Sequence, residues 1–366
     1  MKRLMLVLAL ALSAVACGGG SKPAATAVAP TLAPADPVAV KKMITGVERA
    51  GDGKTKEAIA LLVEAVEKDP ELWEAHYNLG VLRAQVGELA PAEQSLVIAA
   101  KLAPNAEDVA VALGEVRRRL REPKRAAEGL EAFVKANPGA LAARTTLVAA
   151  LRESGSVAEA IRHAREVLVR QPDDALARAE LALSHLELGE VDTAQLLIEE
   201  ALKAEVKSAV AERTAGLIAL RQGDDALAFQ HFARASELDP SDTTARLNIG
   251  TVLVQAGVYD KAEQEFRAVL ARKPDDVDAM LGLAAAQRGQ GTRERREPYL
   301  AAEKTLTELL AKEPDNLSAL YNLGVLYVDF LQQPAKAKPH LSRFVDKAPE
   351  KHPARPAAVQ RLAGIK

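Results

Sequence analysis

Cysteine and aromatic side chains are scarce in this chain of 366 residues, which holds one Cys, one Trp, five Tyr and six Phe. With a single cysteine, the six histidines have no thiolate partner, and they show no H-E-x-x-H spacing, so no metal site is expected. An excess of basic charge is missing too. The balance is 48 Lys and Arg against 50 Asp and Glu, a net charge of -2, which lacks the cationic face that nucleic-acid binding requires. Exposed aromatic faces for stacking on a glycan are also too few. No G-x-S-x-G elbow occurs, and the Walker-like Gly53-Lys54-Thr55 has Glu48 where a glycine is needed. The carboxylate pairs Asp173-Asp174, Asp224-Asp225 and Asp275-Asp276 each follow a turn-forming Pro or Gly, so turn chemistry accounts for them better than acid-base catalysis. Neither a catalytic residue nor a cofactor is expected.

Apolar residues make up 48% of the chain, much of it Ala and Leu, which are strong helix formers. At this length one globular core would divide, unless surface is buried locally, unit by unit.

The N-terminus reads as an address. Met1, Lys2 and Arg3 give a positive start, Leu4 to Leu12 an apolar stretch too short to span a bilayer, and Ser13 to Ala16 a small-residue cleavage region. Residues 1–16 are therefore expected to be a signal peptide. The following run Ala14-Val15-Ala16-Cys17 resembles the lipobox of bacterial lipoproteins, which implies that Cys17 is acylated. Gly18 rather than Asp follows it, which in that family favours the periplasmic face of the outer membrane. Residues 17–38, rich in Gly, Pro, Ala and Ser, are expected to be a flexible tether.

The body is organised by a spacing. Pro70, Pro104, Pro138, Pro172, Pro240 and Pro274 lie 34 residues apart, with one gap of twice 34 in which Val206 fills the missing place. If each proline is position 32, position 8 is Gly46, Gly80, Gly114, Gly216 and Gly250, and position 20 is Ala in every unit from Ala58 to Ala262. Ala302 and Ala337 fill that place in two later, longer units. Small residues at both positions let two helices of a hairpin approach closely. Position 15 is Gly53, Gly87, Gly155, Gly189, Gly223 and Gly257, where the chain turns between helices, with Arg121 as the exception. The proline ends the second helix, and Asn105, Asp173, Ser241, Asp275 and Asp315 are expected to cap or turn after it.

These features resemble the tetratricopeptide repeat (TPR) family. The resemblance implies an all-α, TPR-type right-handed superhelical solenoid of antiparallel helix pairs. About nine repeats are expected, at 39–72, 73–106, 107–140, 141–174, 175–208, 209–242, 243–276, 277–316 and 317–351, with a C-terminal cap at 352–366. The eighth repeat carries extra residues, Gly291 to Pro298, whose charges Arg293, Glu294, Arg295, Arg296 and Glu297 suit either a solvated loop or an acidic partner.

In that family the first helices line a concave groove. Carried over by position, the protein-binding surface comprises Tyr77, Val81, Arg118, Arg119, Arg152, Leu183, Arg213, Leu217, Arg221, Leu247 and Arg288. Arginines recurring at the ends of first helices suggest a track for an extended acidic segment. The expected function is a non-catalytic interaction scaffold or assembly factor for an envelope machine, such as a pilus or secretin, motility or envelope assembly. Its partners would be envelope proteins, with the membrane reached through the N-terminal lipid and no nucleic acid bound. The alternative is a regulator or enzyme acting on peptidoglycan through the groove.

Overall fold

The computed structural model describes residues 35–203, 207–240 and 242–365, so the signal segment, Cys17, most of the tether, Val206 and Ser241 lie outside the described residues. All regular structure in the described residues is helical. Two compact units are divided between Val167 and Leu168. In the first are α1 (Pro37–Gly51), α2 (Thr55–Lys68), α3 (Trp73–Gln85), α4 (Leu89–Leu102), α5 (Glu107–Arg119), α6 (Pro123–Ala136) and α7 (Leu141–Glu153). Helix α8 (Val157–Arg170) contains the division. The second holds α9 (Ala175–Glu187), α10 (Val191–Leu202), α11 (Ala209–Gln222), α12 (Asp225–Leu238), α13 (Thr243–Gln255) and α14 (Tyr259–Arg272). It continues with α15 (Val277–Gln290), α16 (Glu297–Lys312), α17 (Leu317–Val325), a π turn at Leu326–Phe330, α18 (Pro334–Lys347) and α19 (Arg355–Ala363).

Helix α1 begins two residues before the expected first repeat, so Pro37 and Val38 are helical rather than tether. Asp36 accepts from the amides of Val38 and Ala39, and Pro37 supplies a preset φ where no amide donor is needed. After the repeat-closing proline, Asn105, Asp173, Asp275 and Asp315 lie in the turn, one of the two roles expected of them. The caps are the second residues after that position, Asp174, Asp242, Asp276 and Asn316, each accepting from an amide of the next helix. Of the first residues, Asp275 pairs with Lys312, and Asp315 with Arg343 and Lys347.

The hairpin turns follow the glycine pattern. All six position-15 glycines have φ between 73° and 87°. Arg121 holds the same left-handed place at φ 63°, and Gln332 does so at φ 54°. Side chains pay a steric penalty there that glycine escapes. Gln332 is exposed, so Gln332→Gly is expected to stabilise the protein by about 1 kcal/mol. A lower urea midpoint for that variant would show that the side chain helps rather than strains the turn.

Close helix approach has a visible cause. A Cβ added at Gly80 would sit 2.6 Å from Leu96, at Gly216 2.5 Å from Phe232, and at Gly250 2.8 Å from Phe266. Each of those large side chains comes from the second helix of the same hairpin and is almost fully buried. Opposite them, Ala58, Ala92, Ala160, Ala194, Ala228 and Ala262 are wholly buried. The core is thus a series of local clusters, each shared by neighbouring hairpins.

Polar groups complete the joints. The carbonyls of the closing prolines accept from side chains further along the chain: Pro70 from the His76 ring at 3.0 Å, Pro138 from Arg144 at 3.3 Å, and Pro172 from Arg178. The side chain at position 4 also reaches its own second helix, as Arg144 does to His163 and Glu166, Glu212 to His231, and Arg246 to Glu265. Prolines break helices and leave carbonyls exposed to desolvation; these contacts satisfy them. At the C-terminal end, α19 buries Ala358 against a cluster containing Leu341 and Phe344, covering the last apolar face.

Candidate functional site

Within each unit, successive first helices touch one another: α1, α3, α5 and α7 in the first, α9 with α11 and α13 with α15 in the second. The second helices stand further apart, so the first helices form the inner layer of each unit.

In the first unit this layer carries Tyr77 and Val81 on α3, both half-buried, with Tyr77 packed against a cluster that includes Leu96 and Val116. Burial, then the negative charge of Asp108, raises the Tyr77 hydroxyl above its ordinary value, and burial also raises Glu74. Arg118, expected as a ligand grip, is already engaged. Its Nε and Nη2 donate to the two oxygens of Glu153 at 2.9 and 2.5 Å, and Nη1 donates to Glu115 at 2.6 Å. Arg152 lies 3.7 Å from the same Glu153. Arg119 is exposed beside them at the end of α5. The structure therefore brings Arg118 and Arg152 together around one carboxylate, where they serve the packing of α5 on α7.

In the second unit, Leu183, Leu217 and Leu247 are half-buried on α9, α11 and α13, and the latter two pack against core clusters. Arg213 pairs with Asp242. Arg221 is exposed at the end of α11, and Arg288 is half-buried on α15 with its guanidinium 5.5 Å from the Phe330 ring centroid. Sequence reasoning missed Phe330, Asn322 and Ala285, which lie around Arg288 or beside the same crevice. A signal for them existed: Ala337 stands one place late for the 34-residue period, marking an extra residue just before it.

Among the described residues, no group of three or more His, Cys, Asp or Glu could hold a metal ion, and no helix is long and apolar enough to cross a membrane. His76 and His163 are buried, and His340 is half-buried. Burial lowers the pKa of His76, His163 and His340 from the ordinary 6.5, helped at His163 by Arg162 and Arg144 against the opposing Glu166, and at His340 by Arg343. Because the unfolded chain takes up these protons first, stability is complete above about 6.5 and declines as pH falls below it toward the folded values. His163→Gln is expected to shrink that acid-side loss, read as a smaller difference in melting temperature between pH 7.5 and 5.5 buffers (about two units apart). An unchanged difference would mean that His163 already titrates normally when folded.

Comparison with known proteins fits this architecture. Models described as tetratricopeptide repeat match residues 46–107, 111–175 and 179–243, residues 219–287, and residues 318–351. No curated protein matches the sequence. Among solved structures, the human IFIT1 dimer with m7Gppp-AAAA is similar at 16% identity and a TM-score of 0.61, over 90% of this chain and 80% of that one. The APC/C hetero-tetramer Cut9-Hcn1 is similar at 14% identity and a TM-score of 0.59, over 89% of this chain and 76% of that one. PilW, a widely conserved type IV pilus biogenesis factor, aligns at 20% identity and a TM-score of 0.48, over 60% of this chain and 100% of that one. At these identities the likeness is one of fold. The repeat models cover more than half of the sequence, and the chain belongs to the tetratricopeptide repeat family.

Proposed function

We propose that this protein is a non-catalytic scaffold that binds other proteins through the inner layer of first helices, and that Cys17 carries a lipid holding it on the periplasmic face of the outer membrane. The observation that supports binding best is the composition of that layer. Half-buried Tyr77 and Val81 in the first unit, and Leu183, Leu217 and Leu247 in the second, each stand among cations of their own unit, a mixture suited to an extended polypeptide and poor in groups for bond making. Repeat architecture gives such a surface length without requiring a large core. The leader Met1 to Ala16 and the following Cys17 support placement in the envelope, where the partners would belong to an assembly, secretion or motility machine.

The internal pairing of Arg118 and Arg152 changes which variants are informative. Reversing their charge would disturb α5 and α7, whereas Arg119 and Arg221 are exposed and Arg288 pairs with no carboxylate among the described residues. Crosslinking and affinity capture from intact cells, comparing the wild-type chain with the triple variant Arg119→Glu, Arg221→Glu, Arg288→Glu, tests the reading. Loss of specific envelope proteins with the triple variant is the expected result. Retention of the same partners would place binding elsewhere on the molecule. Capture of cell-wall fragments in place of proteins would favour action on peptidoglycan.

A further inference from the structure

We propose that the crevice between α15 and α17 is a recognition pocket for one small aliphatic side chain flanked by a carboxylate, on an extended acidic segment of a partner protein. This inference rests on the inner-layer reading above and assigns it a specific place and chemistry.

The crevice is lined by Leu281, Ala284, Ala285 and Arg288 from α15, by Asn322 of α17 and by Leu326 of the π turn, with Ala302 and Leu306 of α16 at its floor. Its walls are short or aliphatic and its space is about that of one small group, so it admits a single methyl, such as one branch of a valine, but not an aromatic ring. Two polar groups stand at it, the guanidinium of Arg288 and the amide of Asn322. Among the described residues neither side chain has a hydrogen-bond or ion-pair partner. Elsewhere on the inner layer the contrast is plain: Arg118 and Arg213 are paired with carboxylates.

Arg288 is held rather than loose. Its guanidinium lies over Phe330, and the Phe330 ring meets Tyr299 at 5.3 Å between centroids. Tyr299 can sit there because Gly291 offers no Cβ; an added one would strike the tyrosine ring. Gly291 is the first residue of the segment inserted before α16, and Arg296 of the same segment donates to the Leu331 carbonyl at 2.7 Å. The insertion and the π turn together build the Tyr299, Phe330 and Arg288 stack. Stacking on an aromatic face fixes the plane of a guanidinium while leaving its N–H edge to donate to a carboxylate in two parallel bonds. The exposed inserted segment carries Arg293, Arg295 and Arg296 against Glu294 and Glu297, which leaves it one positive charge in excess beside Arg288. Charge complementarity therefore selects an acidic occupant, and the crevice selects a small aliphatic residue beside the acid.

Fluorescence anisotropy with the full chain tests this, using fluorescein-labelled peptides of alternating Asp and Val, alternating Lys and Val, and alternating Asp and Trp. The Asp/Val peptide should bind, the Lys/Val peptide should not, and the Asp/Trp peptide should bind weakly. Arg288→Gln should weaken Asp/Val binding about tenfold, whereas Lys124→Gln, at an exposed residue of the second helix α6 outside the inner layer, should change it less than about twofold. Ala285→Leu, which fills the crevice, should weaken the Asp/Val peptide selectively relative to one of alternating Asp and Gly. Equal binding by Arg288→Gln and the wild type overturns the pocket, as does equal binding of Asp/Val and Asp/Trp. If Arg221→Gln alone abolishes binding, the acidic-segment reading stands and the crevice is the wrong place. If no acidic peptide binds the wild-type chain, the crevice assignment fails, and the captured partners decide the inner-layer reading separately.

Discussion

Phe266→Ala is expected to destabilise the second unit by about 3–5 kcal/mol, measured as a fall in its urea or thermal midpoint. Phe266 is only 1% exposed and packs with Ala262, Leu283 and Ala286. Its ring touches two glycines at once, Gly250 on the first helix of its own hairpin and Gly282 on the first helix of the next. Removing the ring leaves a void bounded by three helices, none of which can close it without dragging its own cluster out of place. The same geometry makes Gly282→Ala unfavourable, since the added carbon would enter the ring. Overpacking of that kind costs about 1–3 kcal/mol, so it should rank below the cavity. Leu196→Ala is the control: the side chain is 66% exposed, and its loss should be nearly neutral. Because each hairpin is stabilised mainly by its neighbours, the Phe266 variant should also broaden the transition as nearby repeats open first. A shift no larger than that of Leu196→Ala would show that the α13–α15 packing contributes little.

The second large effect is one of location. Cys17→Ala is expected to move the protein from the membrane fraction to the soluble periplasmic fraction of the cell. Each buried methylene of an acyl chain contributes about 0.8 kcal/mol, and more than one chain is needed for stable anchoring. Under the proposed modification all of those chains depend on the one sulfur and the amine it exposes after cleavage. No helix among the described residues offers a substitute span. Membrane association that survives the substitution would remove the anchor from the proposal while leaving the repeat scaffold untouched.

Much of the fold was legible because its determinants recur at fixed offsets. Gly53 to Gly257 mark the turns, and each of them takes the left-handed conformation that their spacing suggests. Gly216 and Gly250 mark close approach, and the rings of Phe232 and Phe266 fill the space. Whether Asp173 and Asp275 cap or turn was open in the sequence, which offers two acids in a row at Asp173-Asp174 and Asp275-Asp276; the backbone geometry gives the turn to the first and the cap to the second. The candidate surface was less legible. Position alone put Arg118 and Arg288 in the same class. Their difference lies in partners distant in sequence, Glu153 for one and Phe330 for the other. The Tyr299 and Phe330 stack depends on two departures from the period, which a search for regularity discards.

The π turn at Leu326–Phe330 bears on how such arrays change length. Leu331 donates its amide to Leu326, five residues back, and the left-handed residue of this turn falls at Gln332, one place later than the period requires. Ala337, Leu341 and Phe344 are displaced by the same single residue and are still fully buried. In a regular helix one extra residue rotates everything beyond it by about 100°. Here the bulge absorbs that rotation within a turn. A single-residue insertion in an ancestral hairpin could thus survive by being folded into the helix wall, so gains and losses of length in such proteins need not be confined to loops.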